Sequence, residues 1–154
     1  HTDILEYFYK KGYDVMHITS KFGAIINDKK VGREEFFTTL QSWGADDTKK
    51  FVIFHYSILS EGINVPGLTH TILLRNLPIV EMAQTIGRVI RVHKDDRAAV
   101  AEGRIPAGAF HLYKKQEGVV TMPTGYKMGN AIAARLQNVV NQIFLEGIPP
   151  LAYC

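Results

Sequence analysis

Apolar residues recur along this chain with a period that switches between helical and strand-like. Ile4, Leu5 and Phe8 fall at helical spacing behind Thr2 and Asp3, either of which can cap a helix, and Gly12 stops that helix just after Lys11. The run YDVMHIT, from Tyr13 to Thr19, has the β-rich composition of a strand. A polar loop, NDKKVGREE, leads to a helix from about Arg33 to Trp43 that ends at Gly44. FVIFHY, from Phe51 to Tyr56, is a short continuous apolar run of the kind buried on both faces in a parallel sheet, and THTILL, from Thr69 to Leu74, is a second. Between them SILSEGINVPGL reads as a loop punctuated by Gly62, Pro66 and Gly67. Pro78 opens a helix that runs to about Val92, with proline at its first position. A charged loop at KDDR, a strand FHLYK from Phe110 to Lys114 and turn-rich residues to Gly129 follow. A last helix reaches about Glu146, with Ile132, Leu136, Val139, Val140 and Ile143 as its apolar stripe. This alternation predicts an α/β domain built on an open, mainly parallel sheet.

Composition narrows the picture only a little. With 154 residues, 46% apolar and 21% charged, the chain suits one globular domain with a real core. A formal charge of +3 permits a polyanionic partner without requiring one. The single cysteine, Cys154, leaves no internal disulfide framework, and no apolar run is long enough for a membrane span, so no membrane partner and a cytoplasmic location are expected. The chain opens at His1 directly into a helical pattern, which reads as a piece of something longer.

The helix from Pro78 carries the candidate chemistry. At about 100° per residue, Gln84, Arg88, Arg91 and Gly87 share one side of the wheel, while Ile79, Met82, Ala83, Ile86, Val89 and Ile90 form the opposite stripe, expected to pack on the sheet. Two guanidiniums spaced three residues apart on a rigid element can clamp several oxygens of a phosphoryl group, and both stay charged at any working pH. Gly87 leaves room where a ligand or a facing domain would approach. The competing reading is a helix face that is polar only because it meets solvent. Against it stand the absence of any acidic residue from 84 to 94 and the loop that precedes the helix.

QTIGRVIR, residues 84–91, resembles the Q-x-x-G-R-x-x-R motif VI of superfamily 2 helicases, and SEGINVPG upstream resembles their motif V. Both occur in the family's order, and the chain over about residues 1–115 looks like the second, RecA-like lobe of a DNA helicase, most similar to phage helicases of the UvsW type. The resemblance implies a RecA-like sheet with helices on both faces, its first strand with motif IV missing from this chain; residues 116–154 match no part of the family and read as a carboxyl-terminal extension whose amphipathic helix either covers this lobe's sheet or docks on the other lobe. It implies ATP with Mg²⁺ as the cofactor, held mainly by an N-terminal RecA-like lobe of the same polypeptide. In it Arg91 would be the arginine finger toward the γ-phosphate, Arg88 its partner, and Gln84 the group that keeps the γ-phosphate or attacking water in register. Glu61, Gly62, Asn64 and Gly87 would lie by the nucleotide, and Tyr56 and Ser57 by the nucleic-acid backbone. Asn64 stands where many relatives carry Asp, and Tyr56 where many carry Thr, which makes Ser57 the first choice for a phosphate contact. Ser20 and Lys21, with Thr19, follow a strand at the end where open α/β sheets bind ligands, and could hold a phosphodiester; an ordinary loop is the alternative. Arg33 heads the next helix as an arginine often does in this family, although packing or surface roles suit it as well.

The chain has no G-x-x-x-x-G-K-[ST] loop and no D-E-x-[DH] box, so it should not hydrolyse ATP by itself. Its six histidines show no metal-ligand spacing and no metal site is expected. The expected partner is DNA, single-stranded or branched, with RNA left open, in a phage or its bacterial host. A non-catalytic nucleic-acid or protein-binding module on the same scaffold is the alternative function.

Overall fold

The structure is a computed structural model that describes residues 2–56, 65–123 and 127–143. Its contacts divide the chain into two compact units, His1–Leu68 and Thr69–Cys154.

The first unit is built on four strands: β1 (Asp14–Thr19), β2 (Gly23–Ile26), β3 (Lys29–Val31) and β4 (Phe51–His55), in the order β3-β2-β1-β4. Only β1 and β4 run parallel; β1 with β2 and β2 with β3 are antiparallel. The expected mainly parallel, RecA-like sheet is therefore not what forms. The reason lies in the stretch read as a polar loop. Asn27 and Asp28 both take positive φ, 46° and 65°, which is the backbone of a two-residue hairpin turn whose twist suits the flanking strands. Asn tolerates that region better than most residues. Its side chain also secures the corner, for Asn27 Oδ1 accepts from the Val15 N–H at 2.9 Å while its Nδ2 donates to Asp14 at 2.7 Å. The chain thus turns back twice on β1 before entering a helix, and β4 becomes an edge strand with its residues half-buried at most.

Helix α1 (Thr2–Lys10) and helix α2 (Arg33–Ala45) cover opposite faces of this sheet. Phe8 of α1 meets Phe54 edge-on at 5.8 Å, on the face shared by Val15 and His17. On the other face Phe36 and Leu40 of α2 are fully buried with Met16, Ile18, Ala24 and Val65. A close backbone approach closes this core. A side chain on Gly44, in the last turn of α2, would run into the Pro66 carbonyl, and one on Gly67, at φ 74°, into the Gly44 carbonyl.

The second unit has its own small parallel sheet, β5 (His70–Ile72) beside β6 (Val119–Thr121). Helix α3 (Ile79–Ile90) packs against both strands and against α5 (Lys127–Ile143), burying Met82, Ile86, Ile132 and Val139 with Leu73 and Leu77. KDDR, expected as a loop, starts helix α4 (Lys94–Ala101), which His93 caps by accepting from the Asp95 N–H. FHLYK, expected as a strand, contains a single 3-10 turn at Phe110–Leu112, and the strand forms instead at Val119 within the residues read as turns. No helix among the described residues is long and apolar enough to cross a membrane.

Gly44→Ala should lower the stability of the first unit by about 1–3 kcal/mol, since the added methyl meets main chain that cannot rotate away. Denaturant unfolding followed by the fluorescence of Trp43, the one tryptophan, measures this. An unchanged midpoint would mean that residues 65–67 are not held against α2.

Candidate anion-binding site at the end of α3

Helix α3 starts at Pro78, its N-cap, and its apolar positions pack as their spacing requires: Met82, Ile86 and Val89 are buried. Ile79, expected in that stripe, is exposed. The departure that matters is Arg88. Placed on the outer side of the wheel with Gln84, it is instead buried, at 9% exposure, whereas Gln84 is exposed as expected. Strands β5 and β6 and helix α5 all pack against α3, so more of its circumference is covered than one apolar stripe would need. Arg88 makes no hydrogen bond or ion pair among the described residues. Burial, and after it the charge of nearby Arg91, push its guanidinium below the ordinary arginine value. The group nonetheless remains a cation, because arginine does not lose its proton in proteins.

The helix stops one residue short of Arg91. That residue is the C-cap, with φ −55° and ψ 134°, and its side chain is carried by extended backbone rather than by the helical face. The two arginines are close enough to repel each other, but they are displayed differently: Arg88 from within the packed helix, Arg91 from an exposed residue just past its end. Gly87, just before Arg88, faces open space, with nothing within 4 Å of where a Cβ would stand.

A second set of residues, which sequence patterns did not single out, closes the helix end. The Lys115 ammonium donates to the carbonyls of Val89 and Arg91, the latter at 2.9 Å. Asp96, at 3% exposure, accepts from the N–H groups of Lys114 at 2.8 Å and Lys115 at 3.1 Å. Burial works against the Asp96 charge, yet these two donors outweigh it and hold the carboxyl below its ordinary value. Three residues on, Gly118 lies so near the end of α3 that a Cβ there would stand 2.5 Å from the Val89 oxygen. The faint sequence sign is a glycine shortly after a lysine pair.

The remaining candidates are dispersed. Ser20 and Lys21 are exposed in the loop of the β1–β2 hairpin, not in a strand-to-helix connection. Tyr56, exposed at 68%, follows β4 at the same end of the sheet, because β1 and β4 run parallel. Ser57, Glu61, Gly62 and Asn64 lie outside the described residues. Gln84, Arg88 and Arg91 offer cations and an amide but no carboxylate, an arrangement suited to phosphoryl oxygens and unsuited to a metal ion. No protein-family model matches this chain, and no curated protein or solved structure matches it either.

The Asp96 bonds make a pH-dependent contribution with a definite sign. A carboxyl depressed in the folded state stabilises fully above its unfolded value and loses that contribution as pH falls through its folded value. Asp96→Asn cannot ionise, so the stability gap between wild type and variant should be present at neutral pH and narrow as pH drops below the ordinary aspartate range. Urea titrations of both proteins across that range measure the gap; one that stays constant with pH would show that the charged form contributes nothing.

Proposed function

We propose that this chain supplies the arginine side of a nucleotide site in an ATP-dependent nucleic-acid motor, with the ATP and its Mg²⁺ held mainly by another lobe. The observation that carries the reading is Arg88: a residue largely buried as a whole, whose guanidinium has a second cation beside it and no acceptor among the described residues. Two neighbouring cations repel each other until something of opposite sign arrives, and a phosphoryl group offers several oxygens at once. The order of SEGINVP and QTIGRVIR along the chain supports a nucleotide over other anions, through the helicase resemblance. In this reading Arg88 provides a fixed field, Arg91 reaches the γ-phosphoryl oxygens whose charge grows in the transition state, and Gln84 orients the water. An arginine in that role is worth about 10³ to 10⁵ in rate.

The mixed sheet of the first unit is not the sheet that the resemblance implies, and it favours a second reading, a non-catalytic nucleic-acid-binding module. The two part on one variant. In a polypeptide that carries this chain together with the nucleotide-holding lobe, Arg91→Ala should lower kcat for ATP about 10³-fold or more and leave nucleotide affinity within about threefold. Turnover at the wild-type rate would refute the finger role and leave the binding module. The chain by itself should bind single-stranded DNA weakly, with an affinity that falls steeply with salt, and hydrolyse no ATP even with DNA and Mg²⁺. Hydrolysis by the chain alone would mean that no second lobe is needed.

A further inference from the structure

Lys115 is separated from Arg91 by 24 positions in sequence, yet its ammonium rests on the main chain that carries the arginine pair. Helix α3 ends at Ile90, so the carbonyls of its last turn lack helical donors. One cation answers two of them: Val89, which follows Arg88 directly, and Arg91 itself. These contacts bracket the backbone between the two guanidiniums and sit on the residue whose change from helical to extended φ and ψ decides where the Arg91 side chain leaves the helix.

The grip is itself held in place. Both carboxylate oxygens of Asp96 are used to fix the N–H groups of Lys114 and Lys115, and Gly118 lets the next residues lie against the Val89 carbonyl. Helix α4 thereby sets the lysine, and the lysine sets the end of α3. A cation suits the last carbonyls of a helix, although closure does not require one. Glycine in a left-handed turn ends many helices without any charge. Here a third positive group is accepted beside two arginines, and burial pushes the Lys115 ammonium below its ordinary value. An anion arriving at the same place would relieve the repulsion between these groups.

Resting on the phosphate site proposed for Arg88 and Arg91, we propose that Lys115 is a positioning residue for that pair, fixing through the Val89 and Arg91 carbonyls the backbone from which Arg91 meets a phosphoryl group already facing Arg88.

The test uses the full chain, isotope-labelled, titrated with inorganic pyrophosphate while the Nε–H resonances of Arg88 and Arg91 are followed by NMR. In the wild type both should move together and saturate. Lys115→Met should weaken pyrophosphate on the order of tenfold, with the Arg91 response reduced more than that of Arg88, because a small displacement of an oriented group costs much of its effect. Lys115→Gln keeps one donor and should fall between. Lys114→Met removes the same charge one residue away, from an ammonium that pairs with exposed Asp95 at 3.1 Å, and should change affinity by no more than about twofold.

A wild-type response that persists unchanged in Lys115→Met, or a loss that Lys114→Met equals, overturns the positioning role while leaving the phosphate site in place. Should Lys115→Met fail to fold, Lys115→Gln is judged by the same criterion; if neither folds, Lys115 is a pin of the fold and the positioning role is overturned. A wild-type chain whose Arg88 Nε–H ignores pyrophosphate overturns the phosphate site and this role with it.

Discussion

The last carbonyls of an α-helix have no N–H of their own helix to accept from, and in the second unit the way this deficit is met at the end of α3 organises everything near it. The donor is a lysine brought back from far along the chain, and bringing it back requires helix α4, the buried Asp96 carboxylate and a glycine against the Val89 carbonyl. Each of these is intelligible only through the next. Asp96 tolerates burial because it accepts two backbone N–H groups; those groups are fixed because Lys115 is engaged; Lys115 is engaged because α3 stops at Ile90.

Positive charge accumulates at this point as a consequence. Arg88, Arg91 and Lys115 gather at the end of α3, Arg88 on a buried residue, Lys115 on a half-buried one and Arg91 on an exposed one. The carboxyl end of α3 offsets part of this, since the helix dipole places partial negative charge there and favours cations. That effect amounts to about 0.3–1 kcal/mol per group at an exposed site. The carbonyls of Val89 and Arg91 meet the Lys115 ammonium as well, so the end of the helix itself answers part of the charge it gathers.

How much of this could be read in the sequence depends on the range of the interaction. The helices α1, α2, α3 and α5 and the strands β1 and β4 were legible, because apolar spacing such as Met82, Ile86 and Val89 is a local property. The hairpin at Asn27 and Asp28 was not, because an Asn-Asp turn lacks the glycine that usually marks positive φ, and Lys29 and Lys30 disguise an exposed strand as a loop. Helix α4 was hidden for a related reason: Asp95 and Asp96 resemble loop residues, although acids belong in the first turn of a helix and histidine can cap it. In the site, Gln84, Arg88 and Arg91 stand out by their spacing, but the burial of Arg88 does not. A helical wheel describes one helix, whereas Arg88 is covered because other elements crowd α3. Lys115 and Asp96 carry no local sign, since their partners are many residues away.

The position of Arg91 past the helix end separates the work of the two arginines. The backbone that carries Arg88 lies within the packed helix, so the base of its side chain is fixed by α3 and its neighbours. A guanidinium on a C-cap in extended backbone moves with two dihedral angles that the helix ladder does not constrain. Under the proposed function, backbone past the helix end would let Arg91 follow an incoming phosphoryl group. That freedom is useful only if it is bounded, and carbonyls held by a cation supply the bound without blocking the side chain.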